Sequence, residues 1–298
     1  MTMLPRHLVL SNGLSMPAIG LGTWQQRDGA VVERVVRQAL AMGYRLIDTA
    51  SAYRNEAPIG RALQAAFSDK GARLCRDDVW ITSKLAPKEQ GFEGATAAVC
   101  RSLENLRTDY IDLYLVHWPG VSGEAPESPV HRGHREGSWK ALEALYKRGT
   151  LRAIGVSNYT VRHLEEMKEY AEILPMVNQC EMHPLCPQQE LRRYCRQNGI
   201  AFTAYASLGE AALLEPGNNI AELDEVVRRH PGVSRAQILL LWGLHHGAAV
   251  IPKASSMAHL QENWSAPDHA LSAAEMAALD GISAKHHRHF CWDPENVA

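Results

Sequence analysis

Asp48, Tyr53, Lys84 and His117 bring a carboxylate, a phenol, an ammonium and an imidazole into three short strings. These are Arg45-Leu-Ile-Asp48-Thr-Ala-Ser-Ala-Tyr53, Val79-Trp-Ile-Thr-Ser-Lys84 and Ile111-Asp-Leu-Tyr-Leu-Val-His117. A phenol ionises at about pH 10 and is a weak proton donor at neutral pH, but a neighbouring ammonium stabilises its phenolate and lowers that value. Tyr53 beside Lys84 is therefore expected to act as an acid of the kind needed when a ketone or aldehyde takes a hydride on carbon and a proton on oxygen. Asp48 would hold the lysine in place and charged, and His117 would donate a hydrogen bond that orients the carbonyl. Taken singly, each has an ordinary explanation: a cap, a snorkelling lysine or a satisfied core polar group. Four in this order, each at the end of an apolar run, weigh against that.

The runs themselves position the four. Leu46 to Asp48, Val79 to Lys84 and Ile111 to His117 are apolar, β-branched stretches closing on a polar residue, as buried parallel strands do at their C-terminal ends. The terminal residues lie 36 and 33 residues apart, room each time for a strand, a loop and a crossover helix. Repeated βα units of that size place all the polar ends on one rim, and in a (β/α)8 barrel that rim carries the chemistry.

Eight strands are read near Ile19, Leu46–Asp48, Val79–Lys84, Ile111–His117, Ala153–Ser157, Met176–Glu181, Phe202–Ser207 and Ala249–Pro252. A hairpin precedes them, His7 to Pro17 alternating around Asn12-Gly13. Amphipathic segments lie between: Val31–Met42, Ala57–Phe67, Phe92–Leu106, Trp139–Arg148, Val161–Ala171, Gln188–Asn198 and Ile220–His246, the last divided at Pro231-Gly232. An extra C-terminal helix is expected over Ser272–Asp280, before a His/Trp/Pro-rich tail. Gly120–Gly137 reads as an irregular insertion bordering the site, whose His131, Arg132, His134 and Arg135 would favour carbonyls bearing an anionic group.

At 298 residues the chain suits one α/β barrel, a single domain over 1–298. Its 31 basic and 33 acidic residues leave a net charge of −2, which gives no case for nucleic acid. No window is apolar enough to span a bilayer, and no obligate protein partner is evident. Six cysteines without a Cys-x-x-Cys pair, and no apolar N-terminal segment, read as a reduced cytoplasmic chain acting on a small molecule. The 14 histidines show no metal-ligand spacing beyond the tail cluster His286-His287-Arg-His289, so no metal is expected.

The chain resembles the aldo-keto reductases over nearly its whole length. The resemblance runs from Gly20-Leu-Gly-Thr-Trp24, through the four residues above, Leu115-Val-His-Trp-Pro119 and Ile154-Gly-Val-Ser-Asn158, to Ile251-Pro-Lys253. It implies a (β/α)8 barrel that reduces aldehydes, and in some members ketones, with a nicotinamide cofactor. It also implies further site residues. Ser157, Asn158 and Gln179 would bond the nicotinamide carboxamide, Tyr205 would stack on its ring, and Thr23 would touch its ribose. Trp24 and Trp118 would wall the substrate pocket. Ser207, Leu208 and Glu210 would follow the cofactor, and Lys253, Ala254, Ser255, His259, Glu262 and Asn263 would form its adenine end.

Two departures bear on the cofactor. Where the family has Lys-Ser-x-x-x-x-Arg-x-x-Glu-Asn, this chain reads Lys253-Ala-Ser-Ser-Met-Ala-His259-Leu-Gln-Glu262-Asn263, losing a hydroxyl and a guanidinium that hold a 2′-phosphate. Glu215, ten residues past Tyr205, stands as in the yeast-type xylose reductases that take NADH. NADP(H) is the expected cofactor, with NAD(H) also used. The resemblance leaves a second reading, a nucleotide-sensing regulatory module like the potassium-channel β subunits, which the intact Asp48, Tyr53, Lys84 and His117 disfavour.

Overall fold

The computed structural model describes residues 4–69, 71, 73–215 and 220–298. Strands β1 (His7–Val9) and β2 (Ser15–Pro17) pair antiparallel, with Leu8 opposite Met16. This hairpin packs on the N-terminal side of the sheet: Asn12 donates to the carbonyl of Arg152, just ahead of a barrel strand.

Eight parallel strands follow: β3 (Leu21–Gly22), β4 (Leu46–Asp48), β5 (Trp80–Leu85), β6 (Leu113–Val116), β7 (Ile154–Ser157), β8 (Val177–Glu181), β9 (Ala201–Tyr205) and β10 (Ala249–Val250). They neighbour one another in chain order. The ring closes where Ile19 bridges Val250 and Gly22 bridges Lys253, with Gly22 N–H on the carbonyl of Pro252 at 3.1 Å. Among the described residues closure leaves the eight-stranded sheet without an open edge, and β4 to β8 are buried along their whole length, which fits the apolar runs Leu46–Ile47 and Leu113–Val116.

Gly22 sits at the seam. A Cβ there would stand 2.3 Å from the carbonyl oxygen of Ile251, a backbone atom that cannot move without opening the barrel. Gly22→Ala should lose about 1–3 kcal/mol of unfolding free energy, read as a lower urea midpoint at unchanged slope.

Helices α1 (Gly29–Met42), α2 (Glu56–Ser68), α3 (Phe92–Leu106), α4 (Val130–Lys147), α5 (Val161–Met167) and α6 (Gln189–Gln197) cover the strands. They are followed by α7 (Ala221–Arg229), α8 (Arg235–His245), α9 (Met257–Trp264), α10 (Ala273–Asp280) and α11 (Ser283–His286). The first is fixed at both ends: the Asp28 carboxylate accepts from Ala30 and Val31 N–H, and Gly43 closes it at φ 114°. The break between α7 and α8 falls at Pro231-Gly232, as expected.

Two readings need correction. Residues 130–137, expected to be irregular, are the first two turns of α4. Its buried face there is polar, with His131 and Arg135 each 1% exposed, so no apolar period betrayed it. Gly137 is no breaker but a close approach, since a Cβ would meet Phe92 N at 3.1 Å. Helix α9, over which no helix is expected, did carry a signal: Ser256 caps it by accepting from His259 N–H.

Candidate active site

Lys84 lies within β5 with its side chain fully buried, and its ammonium has an acceptor for each of its three protons. Asp48 Oδ1 is at 2.5 Å, the Thr49 carbonyl at 2.9 Å and Tyr53 Oη at 3.4 Å. The second oxygen of Asp48 accepts from Gln179 Nε2 at 2.8 Å, so the buried carboxylate is satisfied on both sides. Asp48 ends β4, in register with Thr82 of β5, and that pairing sets its height against Lys84. The lysine thus stands between Asp48 and Tyr53.

Tyr53 closes a single 3-10 turn, Ser51–Tyr53, after β4. Ser51 Oγ pins this turn to the Lys84 carbonyl at 3.0 Å, and Asn55 donates to the carbonyls of Thr23 and Gln26 while accepting from Thr49. Asn55, 1% exposed, is a positioning residue that sequence reasoning missed. The Tyr53 ring lies between Trp24, at 4.8 Å between centroids, and His117, at 5.6 Å. His117 follows β6 directly, and its Nδ1 is buried with no hydrogen-bond partner among the described residues.

Burial would lower the Lys84 pKa, but Asp48 and Tyr53 more than offset it, and the group is held above its ordinary value. The Tyr53 hydroxyl also moves upward, because burial outweighs the lowering by the lysine. This corrects the expectation of a lowered phenol. Burial, then the charge of Lys84, push His117 down to about 3, so its ring is neutral at physiological pH.

Beside this group the ends of β7, β8 and β9 converge. Ser157 pairs with Gln179 in register and donates its hydroxyl to the Gln179 carbonyl at 2.7 Å. Asn158, left-handed at φ 64°, donates to the His117 carbonyl at 3.0 Å and accepts from Tyr205 Oη at 2.6 Å. Thr23 donates to the Asp48 carbonyl at 2.9 Å. A hydroxyl, two amides and a flat phenol ring make a donor set that suits a planar ring bearing a carboxamide.

The model of the Aldo/keto reductase family matches residues 18–284. The chain belongs to that family. It is 39% identical over 292 residues to a 9,11-endoperoxide prostaglandin H2 reductase of Trypanosoma cruzi, covering 97% of this chain and 95% of that protein. It is 40% identical over 282 residues to a glyoxal reductase of Bacillus subtilis, covering 95% and 94%. Among solved structures, an aldo-keto reductase from a Medee basin deep-sea metagenome library superposes with a TM-score of 0.86 at 32% identity, covering 98% and 99%. The aldose reductase of Schistosoma japonicum gives 0.81 at 36% identity, covering 94% and 92%. This aldo/keto reductase is an NAD(P)H-dependent oxidoreductase that reduces aldehydes, and its substrates are small carbonyl compounds.

The expected adenine end of the reductase runs from the segment before α9 to the last turn of that helix. Lys253, Ser255 and His259 are exposed there, whereas Ala254 and Asn263 are 2% exposed. The Ala254 carbonyl accepts from Gln26 at 2.6 Å, which ties this segment to the loop after β3. Ser207 is buried on the Ala204 carbonyl, Leu208 is half-buried, and Glu210 is exposed. Glu215 is exposed too, at the edge of the described residues.

On the side expected to receive substrate, Trp24 is 48% exposed, and Trp292 of the tail meets Trp118 edge-on at 6.2 Å. The basic residues of 131–135 do not join them. Arg135 is spent on Glu166 and on the carbonyls of Pro119 and Ala298, and Arg132 pairs with Glu169. His131 accepts from Val121 N–H and reaches the Ala125 carbonyl, so it pins the loop. The expectation that these groups select anionic carbonyls is withdrawn.

Proposed function

We propose that the protein reduces small aldehydes, α-dicarbonyls among them, with Tyr53 as the proton donor. The observation that carries this is the lysine with three filled acceptors, one of them the Tyr53 hydroxyl. The hydride taken by the carbonyl carbon would come from a reduced nicotinamide when one is bound. Tyr53 gives its proton to the oxygen as negative charge develops there, and the Lys84 ammonium stabilises the phenolate left behind until solvent reprotonates it. Neutral His117 offers one N–H to the same oxygen and orients the carbonyl toward Tyr53. Asp48 keeps Lys84 charged and fixed, and the Trp24 ring packs against Tyr53 at the mouth of the site. A panel of small aldehydes, glyoxal included, assayed with either cofactor tests the reading, and no turnover on any of them would overturn it.

Ser157, Asn158 and Gln179 would hold the carboxamide against the Tyr205 ring, with Thr23 at the ribose. Asn158 already bonds His117 and Tyr205, so a carboxamide would take over partners rather than fill a gap. Ser207, Leu208 and Glu210 would lie along the pyrophosphate side. Lys253, Ala254, Ser255, His259, Glu262 and Asn263 would receive the adenine end, with Lys253 as the main charge for a 2′-phosphate. We read the chain as one barrel domain of the cytoplasm, in line with its six free cysteines.

NADPH should keep a modest lead and NADH should be clearly usable, since the guanidinium and hydroxyl of the family's string are replaced by His259 and Ala254. A charge-assisted hydrogen bond contributes about 1.5–3 kcal/mol. His259→Arg should therefore lower the NADPH dissociation constant by about tenfold to a hundredfold and leave that for NADH nearly unchanged. Titrating both cofactors into the two proteins checks this. Equal shifts for the two would remove His259 from the phosphate site.

A further inference from the structure

The tail histidines that stood out in the sequence are not left alone in the fold. His287 and His289 come to Cys186, a residue about a hundred positions earlier, and the three ligand atoms lie within 4.8 Å of one another. Cys186 is presented by a tight turn after β8, in which His183 and Cys186 bond each other's backbone. Its sulfur stands 3.6 Å from both ring nitrogens of His289. Zinc bonds of about 2.3 Å to sulfur and about 2.0–2.1 Å to nitrogen, at a tetrahedral angle, put those two atoms about 3.6 Å apart.

A carboxylate orients one of the imidazoles. Glu181, the last residue of β8, accepts from His289 Nδ1 at 3.2 Å, which leaves Nε2 of that ring for a metal. The same carboxylate accepts from Phe290 N–H at 2.7 Å, Cys291 N–H at 3.2 Å and His183 Nε2 at 2.9 Å. Behind the three ligands lies a cavity of about 420 Å³ that reaches Asn158, Tyr205 and Trp292, with room for water in a fourth position.

We propose that Cys186, His287 and His289 form a binding site for a zinc-class divalent cation, with Glu181 orienting His289, and that the bound ion staples the C-terminal tail to the barrel beside the substrate mouth. Cys186 would release its proton to solvent as the Sγ–metal bond forms. The ion would be structural with respect to the reductase: none of its ligands belongs to the Asp48, Tyr53, Lys84 and His117 group. By fixing residues 287–289 it would fix Trp292, which is 82% exposed and touches Trp118.

The test uses the full chain, reduced and stripped with a chelator, and titrated with cobalt(II). A thiolate-to-cobalt charge-transfer band should appear and be displaced by zinc. Cys186→Ser should abolish the band and weaken binding at least tenfold, and His287→Ala, at an exposed position that cannot disturb the core, should also weaken it at least tenfold. Cys291→Ser should keep both the band and the affinity. Binding unaffected by Cys186→Ser would mean a histidine-rich tail chelating adventitiously, and would overturn the site.

The staple has its own readout. Arg288 lies between two of the ligands, so zinc should slow tryptic cleavage after it at least tenfold in the wild type and not in Cys186→Ser. An unchanged cleavage rate would overturn the staple. Neither measurement involves a carbonyl or a nicotinamide, so the outcome is independent of the catalytic reading.

Discussion

Tyr53→Phe is expected to lower the turnover of aldehyde reduction by about 10²- to 10⁴-fold, the range a positioned general acid supplies. The phenyl ring keeps its packing on Trp24 and beside His117, and Lys84 keeps Asp48 and the Thr49 carbonyl, so only the proton donor is lost. Stability should change by about 1 kcal/mol, the scale of one hydrogen bond. Cofactor should still bind, which quenching of tryptophan fluorescence reports, Trp24 being close by. Turnover within tenfold of the wild type would show that Tyr53 is not the acid.

The same geometry sets the pH profile. His117, held down near 3, is neutral throughout the working range, so reduction should show no step near the ordinary histidine pKa. Tyr53, moved upward, should keep its proton through neutral pH, and the rate should fall only in the alkaline range where the phenol ionises. A step between pH 6 and 7 that disappears in His117→Gln would contradict this account of the imidazole.

The barrel and three of its reactive groups were legible because Asp48, Lys84 and His117 stand at or beside the C-terminal ends of buried strands, with Tyr53 in the turn that follows the first of them. Asp48 closes β4, Lys84 is the penultimate residue of β5 and His117 follows β6, and the interval between them measures the crossover helix. What the sequence hid was polar burial. His131 and Arg135 look like a solvated charge run, yet they line the buried face of α4: Arg135 meets Glu166 and the Ala298 carbonyl, both distant in the chain, and His131 meets the backbone of Val121 and Ala125 in the loop that folds back on the helix. Asn55 was hidden for the same reason, since its partners are the carbonyls of Thr23 and Gln26. The direction of the Tyr53 pKa was misread because spacing gives the neighbouring charge but not the depth of burial, and here depth wins.

Depth also makes the Asp48–Lys84 pair the most sensitive point of the site. Asp48→Asn should cost about 3–5 kcal/mol, because it leaves an ammonium buried against neutral acceptors alone. In the wild type the pair raises the Lys84 pKa above its unfolded value, so its stabilisation is fully present below pH 10.5 and is lost only as pH rises through the folded value. In Asp48→Asn the main cause of that rise is gone and burial lowers the pKa instead. The unfolded chain then binds more protons than the folded one, so the deficit should be largest near neutral pH and should shrink toward pH 10.5. Asp48→Asn/Lys84→Met removes both charges and should recover most of the lost stability, since an apolar side chain of similar length fills a buried site well. It should recover none of the turnover, because Tyr53 would have no ammonium to stabilise its phenolate. Urea unfolding of the single and double variants at pH 7 and pH 10, alongside aldehyde turnover, separates the two roles. A double variant that regained both stability and turnover would make the pair a structural feature of the barrel and remove Lys84 from the chemistry.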